Sequence, residues 1–220
     1  ADSPLELERQ KTKLLQALVG LDADVVGLVE LENSTGADAL TDPDNGIVPG
    51  LDQLLGDGTY AAIDADVIGT DAIRVGLIYR PAAVTPVGPY RLVDGSVDPR
   101  FLDDKNRPAL IQTFEEVATG ERFTVVVNHL KSKGSACLDV GDPDLGDGQG
   151  NCNVTRRLAA EAIVDALDAM VADGTIDPDI LVLGDLNSYA KEDPIAVFED
   201  AGYVNVVDEF ESVDAYSYVF

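Results

Sequence analysis

The chain has 220 residues, 45% apolar and 25% charged, a composition that fits a single globular domain. Lys and Arg total 15 against 41 Asp and Glu, a net charge of −26. That excludes polyanion binding by bulk attraction and points to a strongly solvated, self-repelling surface. Any work on an anion must recruit local positive charge, from clustered basic residues or from a metal ion. No apolar run approaches the ~20 residues of a membrane-spanning helix, so no membrane insertion is expected. Ala1-Asp2-Ser3-Pro4 leads straight into a polar helical pattern, which does not read as a secretory leader.

In chain order, Leu5 to Leu21 reads as an amphipathic helix, with Leu7, Leu14, Leu15 and Leu18 on one face. Asp24 to Leu31 reads as a buried strand, and the turn-rich stretch after it as ending in a short helix near Ile47 to Leu55. Tyr60 to Asp64, Ile73 to Arg80 and Val84 to Leu92 read as strands, the last weakened by Pro86 and Pro89. Pro108 to Glu116 and Arg122 to Leu130 flank Ala118-Thr119-Gly120-Glu121, a hairpin signal. Val154 to Val171 is a predicted helix, with Val154, Leu158, Ile163, Leu167 and Met170 facing a core. Ile180 to Leu183 is a short buried strand and Pro194 to Ala201 a last helix. The pattern predicts an α/β (α+β) sandwich rather than a strictly alternating parallel sheet.

Cys137 and Cys152 enclose a loop rich in Asp and Gly and poor in apolar residues. Such a loop cannot fold on its own burial. A disulfide closing it would contribute roughly 3 kcal/mol in the chain-entropy model and would imply an oxidising compartment, hence secretion or the cell surface. The alternative is two unpaired thiols in a reducing compartment. The Asp-rich stretch 139–147 lacks the EF-hand spacing and reads as a solvated loop tied by the cysteines, with loose Ca²⁺ binding as the alternative.

Three of the most apolar runs finish on polar residues. Val25 to Val29 ends at Glu30, Phe123 to Val127 at Asn128-His129, and Ile180 to Gly184 at Asp185, with Asn187 two residues on. Runs this apolar are buried on both faces, and a carboxylate at such an end is partly desolvated unless it is paired or metal-bound. Sites in α/β sheets gather at the carboxyl ends of strands. Convergence of Glu30, His129, Asp185 and Asn187 would make a metal-assisted hydrolytic site. His129 is the sole histidine; the bland alternative is a structural imidazole satisfied within the core.

These residues carry a resemblance. The segments DADVVGLVELEN (22–33), RVGLIYRP (74–81), NRPAL (106–110), VVNHLKSKGSAC (126–137), DGQGNCNVTRRLAA (147–160) and ILVLGDLNSYAKEDPI (180–195) resemble the endonuclease/exonuclease/phosphatase superfamily. Within it they are most similar to secreted bacterial extracellular nucleases, and the resemblance runs from about Leu5 to Tyr203. It implies a four-layer sandwich of two packed mixed β-sheets flanked by helices, over one domain spanning 1–220. It also implies Mg²⁺, or Mn²⁺ with Ca²⁺ as an alternative, bound by Glu30. Catalytic roles fall to His129, Asp185 and Asn187, and phosphate contacts to Lys131, Arg107 and Arg156. The expected substrate is DNA, with RNA as an alternative; protein partners are not indicated, and the expected location is extracellular. Asn153 is the expected N-cap of the helix bearing Arg156. The family's first strand, and a last strand with an Asp-His pair, are not matched in this sequence, so the expectation is a domain lacking its first and last core strands. The chain itself is then expected to be inactive or weakly active and the nuclease activity to belong to the parent protein. Two further readings stand beside this one: a phosphodiesterase or phosphatase acting on lipid or small phosphate esters, and a non-catalytic secreted binding module.

Overall fold

The structure, a computed structural model, describes residues 3–34 and 38–210. The start at Ala1-Asp2 and the tail Ser217-Tyr218-Val219-Phe220, on which part of the sequence reading rests, lie outside the described residues.

The first helix, α1 (Pro4–Leu21), begins where Ser3 accepts the Glu6 N–H and Pro4 supplies a helix-ready φ. It leads into β1 (Val25–Glu32), α2 (Ile47–Leu55), the two-residue β2 (Ala61–Ala62) and β3 (Ile73–Tyr79). These strands form a three-stranded antiparallel sheet in the order β1-β3-β2. Next come β4 (Val84–Val93), β5 (Arg107–Glu116), β6 (Arg122–His129), α3 (Asn153–Ala172), β7 (Ile180–Asp185), α4 (Asp193–Asp200) and the short α5 (Val206–Phe210). The second sheet runs β4-β5-β6-β7, antiparallel except for the parallel pair β6 and β7. A parallel pair needs a long crossover, and α3 supplies it.

Side-chain alternation on the strands builds the layers. Val125 and Val127 of β6, Leu110 and Phe114 of β5, and Val75 and Leu77 of β3 fill the space between the two sheets. Val126, Ala109 and Ile111 point the other way, onto Ala159, Ile163 and Leu167 of α3 and Phe198 of α4. On the outer side of the first sheet, Val26 and Ile78 meet Leu15 and Leu18 of α1 and Leu51 of α2. Helices, sheet, sheet and helices therefore stack in four layers, as expected. The sheets approach closely where β1 carries Gly27: a Cβ there would lie 2.2 Å from the Leu183 side chain.

Two details differ from the helical reading. In α3 the buried face is Ala159, Ala160, Ala162, Ile163, Ala166 and Leu167, whereas Val154 is exposed. Small residues let the helix axis lie close to the sheet, so its inner face is alanine-rich rather than leucine-rich. In α1, Leu7 and Leu14 are exposed, because the face turned to the sheet is the one that carries Leu15 and Leu18. Among the described residues no helix is long and apolar enough to cross a membrane, and β7 has one strand neighbour, leaving Leu181 exposed at the edge.

Candidate active site

Sheet register assembles the site. Arg107 of β5 pairs with His129 of β6, and His129 pairs with Asp185 of β7. Three residues from distant parts of the sequence thus lie side by side along one rim, at the carboxyl ends of the parallel pair. The His129 Nε2 is 3.9 Å from the Asp185 Oδ2, a charge contact rather than a hydrogen bond.

Backbone geometry fixes Asp185 and Asn187. Gly184 has φ +116, and a Cβ on it would fall 2.1 Å from the Asn128 carbonyl oxygen. Only glycine lets β7 approach β6 this closely just before the carboxylate. Asn187 adopts φ +48, in the left-handed region that asparagine tolerates. Its N–H donates to the Asp185 Oδ1 at 2.8 Å, and its side-chain amide donates to the Leu130 carbonyl at 2.9 Å. The Leu130 N–H in turn donates to the Asp185 carbonyl at 2.9 Å. Asn187 thereby ties the ends of β6 and β7 together and leaves the Asp185 Oδ2 toward the imidazole.

Glu30 comes from the other sheet. The pairing of β1 with β3 shifts between Leu28 and Leu31, and Glu30 sits in that irregularity at φ +56. Bulges of this kind re-aim side chains next to functional sites. Glu30 is exposed, and its carboxylate forms no hydrogen bond or ion pair with the described residues. Its charge nevertheless acts on His129, as do those of Asp185, Asp71 and Arg107. The imidazole is buried, and its pKa lies below the usual 6.5: burial is the main cause and the Arg107 cation adds to it, against the three carboxylates. At neutral pH the ring is therefore uncharged.

Lys131 is the cation best placed to meet an anion. Its ammonium donates to the Ser132 carbonyl and hydroxyl and to the Ser135 hydroxyl at 2.9 to 3.4 Å. Burial, then Arg107, Lys105 and Arg156, lower its pKa, so positive potential accumulates there. Its backbone N–H is fixed by the Asn106 side chain at 2.9 Å. Arg107 lies 3.0 Å from the Asp71 carboxylate.

Arg156 does not reach this rim. It is fully buried, and its guanidinium donates to the carbonyls of Asn151 (2.6 Å), Gln149 (3.0 Å) and Lys131 (3.3 Å). Its place in a phosphate-contact set is corrected accordingly: it holds the loop that precedes α3. The expected N-cap is corrected too. Residue Cys152 occupies that position, and the Asp142 carboxylate accepts from the N–H groups of Val154 and Thr155 and from the Thr155 hydroxyl. Asn153 instead donates to Asp193 at 2.7 Å. The Asp-rich loop is thus not wholly solvated, because Asp142 is buried within it. The Cys137–Cys152 disulfide is formed, with a Cα–Cα separation of 5.4 Å. Nor do the basic residues form one strip: Arg74 pairs with Asp38, Arg80 with Asp22 and Asp24, Lys105 with Asp104 and Asp139, and Arg157 with Glu161.

Sequence reading missed Asp71, one carboxylate among 41 acidic residues with no pattern around it. It also missed the Asn33 side chain, which holds the Asp71 loop through the carbonyls of Ile68 and Asp71 and the Ile68 N–H. Among the described residues no three or more His, Cys, Asp or Glu side chains converge as a metal cage. One unengaged carboxylate beside the polar rim still fits Mg²⁺, which keeps several waters and takes one or two protein carboxylates.

The same two-sheet sandwich is found in several solved structures. The human nocturnin catalytic domain, with bound sulfate, superposes with a TM-score of 0.57 at 16% identity, covering 89% of this chain and 62% of that one. An endonuclease/exonuclease/phosphatase from Bacteroides vulgatus gives 0.55 at 18% identity, covering 92% and 68%. A mannosyl-6-phosphatase from Bacteroides thetaiotaomicron gives 0.57 at 14% identity, covering 89% and 63%. The chain has the endonuclease/exonuclease/phosphatase fold, and it spans less than two thirds of the length of nocturnin's domain and of the mannosyl-6-phosphatase. No family model and no curated protein sequence matches it.

Proposed function

We propose that the rim hydrolyses phosphodiester bonds in nucleic acid with the aid of a divalent cation, as part of an extracellular DNase-type nuclease. The observation that carries this reading is the side-by-side placement of Arg107, His129 and Asp185 on neighbouring strands, with Glu30 acting on the same imidazole. Mg²⁺, or Mn²⁺ in its place, would be held through Glu30 and would supply charge neutralisation at a phosphoryl oxygen. Asp185, through the Oδ2 that faces the imidazole, accepts the proton of the attacking water. His129, uncharged at neutral pH, donates a hydrogen bond to a non-bridging oxygen, where charge builds in the transition state. Asn187 keeps Asp185 and the end of β6 in register. Lys131 and Arg107 attract and orient the phosphate. The whole protein's activity, substrate and partners belong to this proposal, as does its location outside the cell, which the disulfide supports.

The mannosyl-6-phosphatase neighbour favours a second reading, hydrolysis of small phosphate monoesters on the same rim. Plasmid degradation by the full-length protein in Mg²⁺, abolished by chelation and by Glu30→Ala or Asp185→Ala, is the expected result. Hydrolysis of small monoesters with plasmid left intact would favour the second reading.

A further inference from the structure

The loops that follow β6 and β7 meet again just beyond the catalytic rim. Tyr189, two residues past Asn187, is 41% exposed. The Lys133 ammonium lies 4.0 Å from its ring centroid. Lys133 is held there by an ion pair with Glu192, whose side chain is buried. The Glu192 N–H donates to the Tyr189 carbonyl at 2.9 Å, which closes the turn. The next residue, Asp193, exchanges two hydrogen bonds of 3.1 Å with Gln149, so the disulfide-bonded loop braces this turn from outside.

The arrangement presents a half-exposed aromatic ring on a stiff support, with a cation over it. Orienting Lys133 through a buried carboxylate carries a desolvation cost that burial of so exposed a ring does not offset. Ring and cation together match what single-stranded nucleic acid offers, because bases stack on aromatic side chains while cations follow the phosphates. Tyr189 is four residues from Asp185, at most ~14 Å along an extended chain, so a base on the ring lies within a few nucleotides of a phosphate at the rim.

We propose that Tyr189 and Lys133 form a stacking platform for a nucleobase next to the scissile phosphodiester, which makes single-stranded or locally unpaired nucleic acid the substrate of this rim. This rests on the nuclease reading above and narrows it.

The test is binding of short oligodeoxythymidylate, and of the same sugar–phosphate chain with abasic residues, to the intact chain. Fluorescence anisotropy with divalent cations chelated keeps cleavage out of the measurement. The wild type is expected to prefer the base-bearing strand by about tenfold, within the range that one base–aromatic stack supplies. Tyr189→Ala should bring the two affinities together, and Tyr189→Phe should keep the preference, which separates stacking from a folding defect. Equal wild-type affinities for the two strands, no binding of either, or a preference that survives in Tyr189→Ala overturns the platform. If the platform behaves as expected while the full-length protein leaves phosphodiesters intact in Mg²⁺, the hydrolytic reading fails and the platform stands.

Discussion

The strand-end rim and the junction of the disulfide-bonded loop with α3 are built from the same residue types, and each carries an arginine and an aspartate from a recognisable sequence segment. Where the loop meets α3, both of these groups end inside the fold. The terminal nitrogens of Arg156 donate to three backbone carbonyls, and Asp142 accepts from the first turn of α3. At the rim the same chemistry is held from behind and left available in front. Asp185 is anchored through Oδ1 by the Asn187 N–H, while Oδ2 faces His129 across 3.9 Å. Arg107 leans on one carboxylate, and Lys131 touches only hydroxyls and a carbonyl. The difference teaches that a charged residue's role depends on how many of its polar atoms already have partners, because a buried guanidinium must satisfy every N–H or suffer a desolvation penalty.

This contrast can be broken at several points. The largest effect is expected from Asp185→Ala in the full-length protein: a loss of nuclease activity of roughly 10²- to 10⁴-fold, as for removal of a general base, with the melting temperature nearly unchanged. A parallel collapse in melting temperature would make Asp185 a structural residue like Asp142. Reducing Cys137–Cys152 should do the reverse. The cross-link contributes about 3 kcal/mol, so melting should fall by about 6–12 °C for a chain of this size, read by calorimetry with and without reductant. Gly184→Ala joins the two regions in one substitution. It forces a positive φ and a backbone overlap with Asn128, costing about 1–3 kcal/mol for the dihedral alone. It should also displace Asp185, so stability and activity fall together. Asp142→Ala removes the cap of α3, at about 1 kcal/mol, visible as a shift in the urea midpoint while activity at the rim persists.

The smallest expected effect is on pH. The unfolded His129 takes up a proton near its ordinary 6.5, and burial and Arg107 lower that value in the fold. Between the two values the unfolded chain binds more protons, so stability rises with pH across that window. The contribution is complete above 6.5 and is lost as the pH falls through the window. Urea midpoints on either side of 6.5, without divalent cations, should show this slope, and His129→Gln should flatten it. An unchanged slope in that variant would place the ring outside the buried network.

Much of the fold was legible because the central strands β5 and β6 are buried on both faces. Phe123 to Val127 and Ile180 to Leu183 have few polar residues to confuse the period, and their β-branched content matches a pleated surface. The positions where those runs stop marked Glu30, His129 and Asp185 as site candidates. The Cys pair could be read from a loop too polar to fold unaided. The roles of Arg156, Asn153 and Asp142 were not legible, because each depends on which backbone group lies beside it across a turn. Asp71 was invisible for the same reason: its importance comes from Arg107, 36 residues away in sequence.

Hydrophobic alternation and strand-ending polar residues, both local properties, thus determined by themselves the layers of this protein and the chemistry available to it. Which of the 41 acidic and 15 basic residues neutralise one another, and which face the rim, was decided only by tertiary structure. Coulomb and hydrogen-bond energies act over a few ångströms of space, and sequence spacing does not report that distance until the strands are in register.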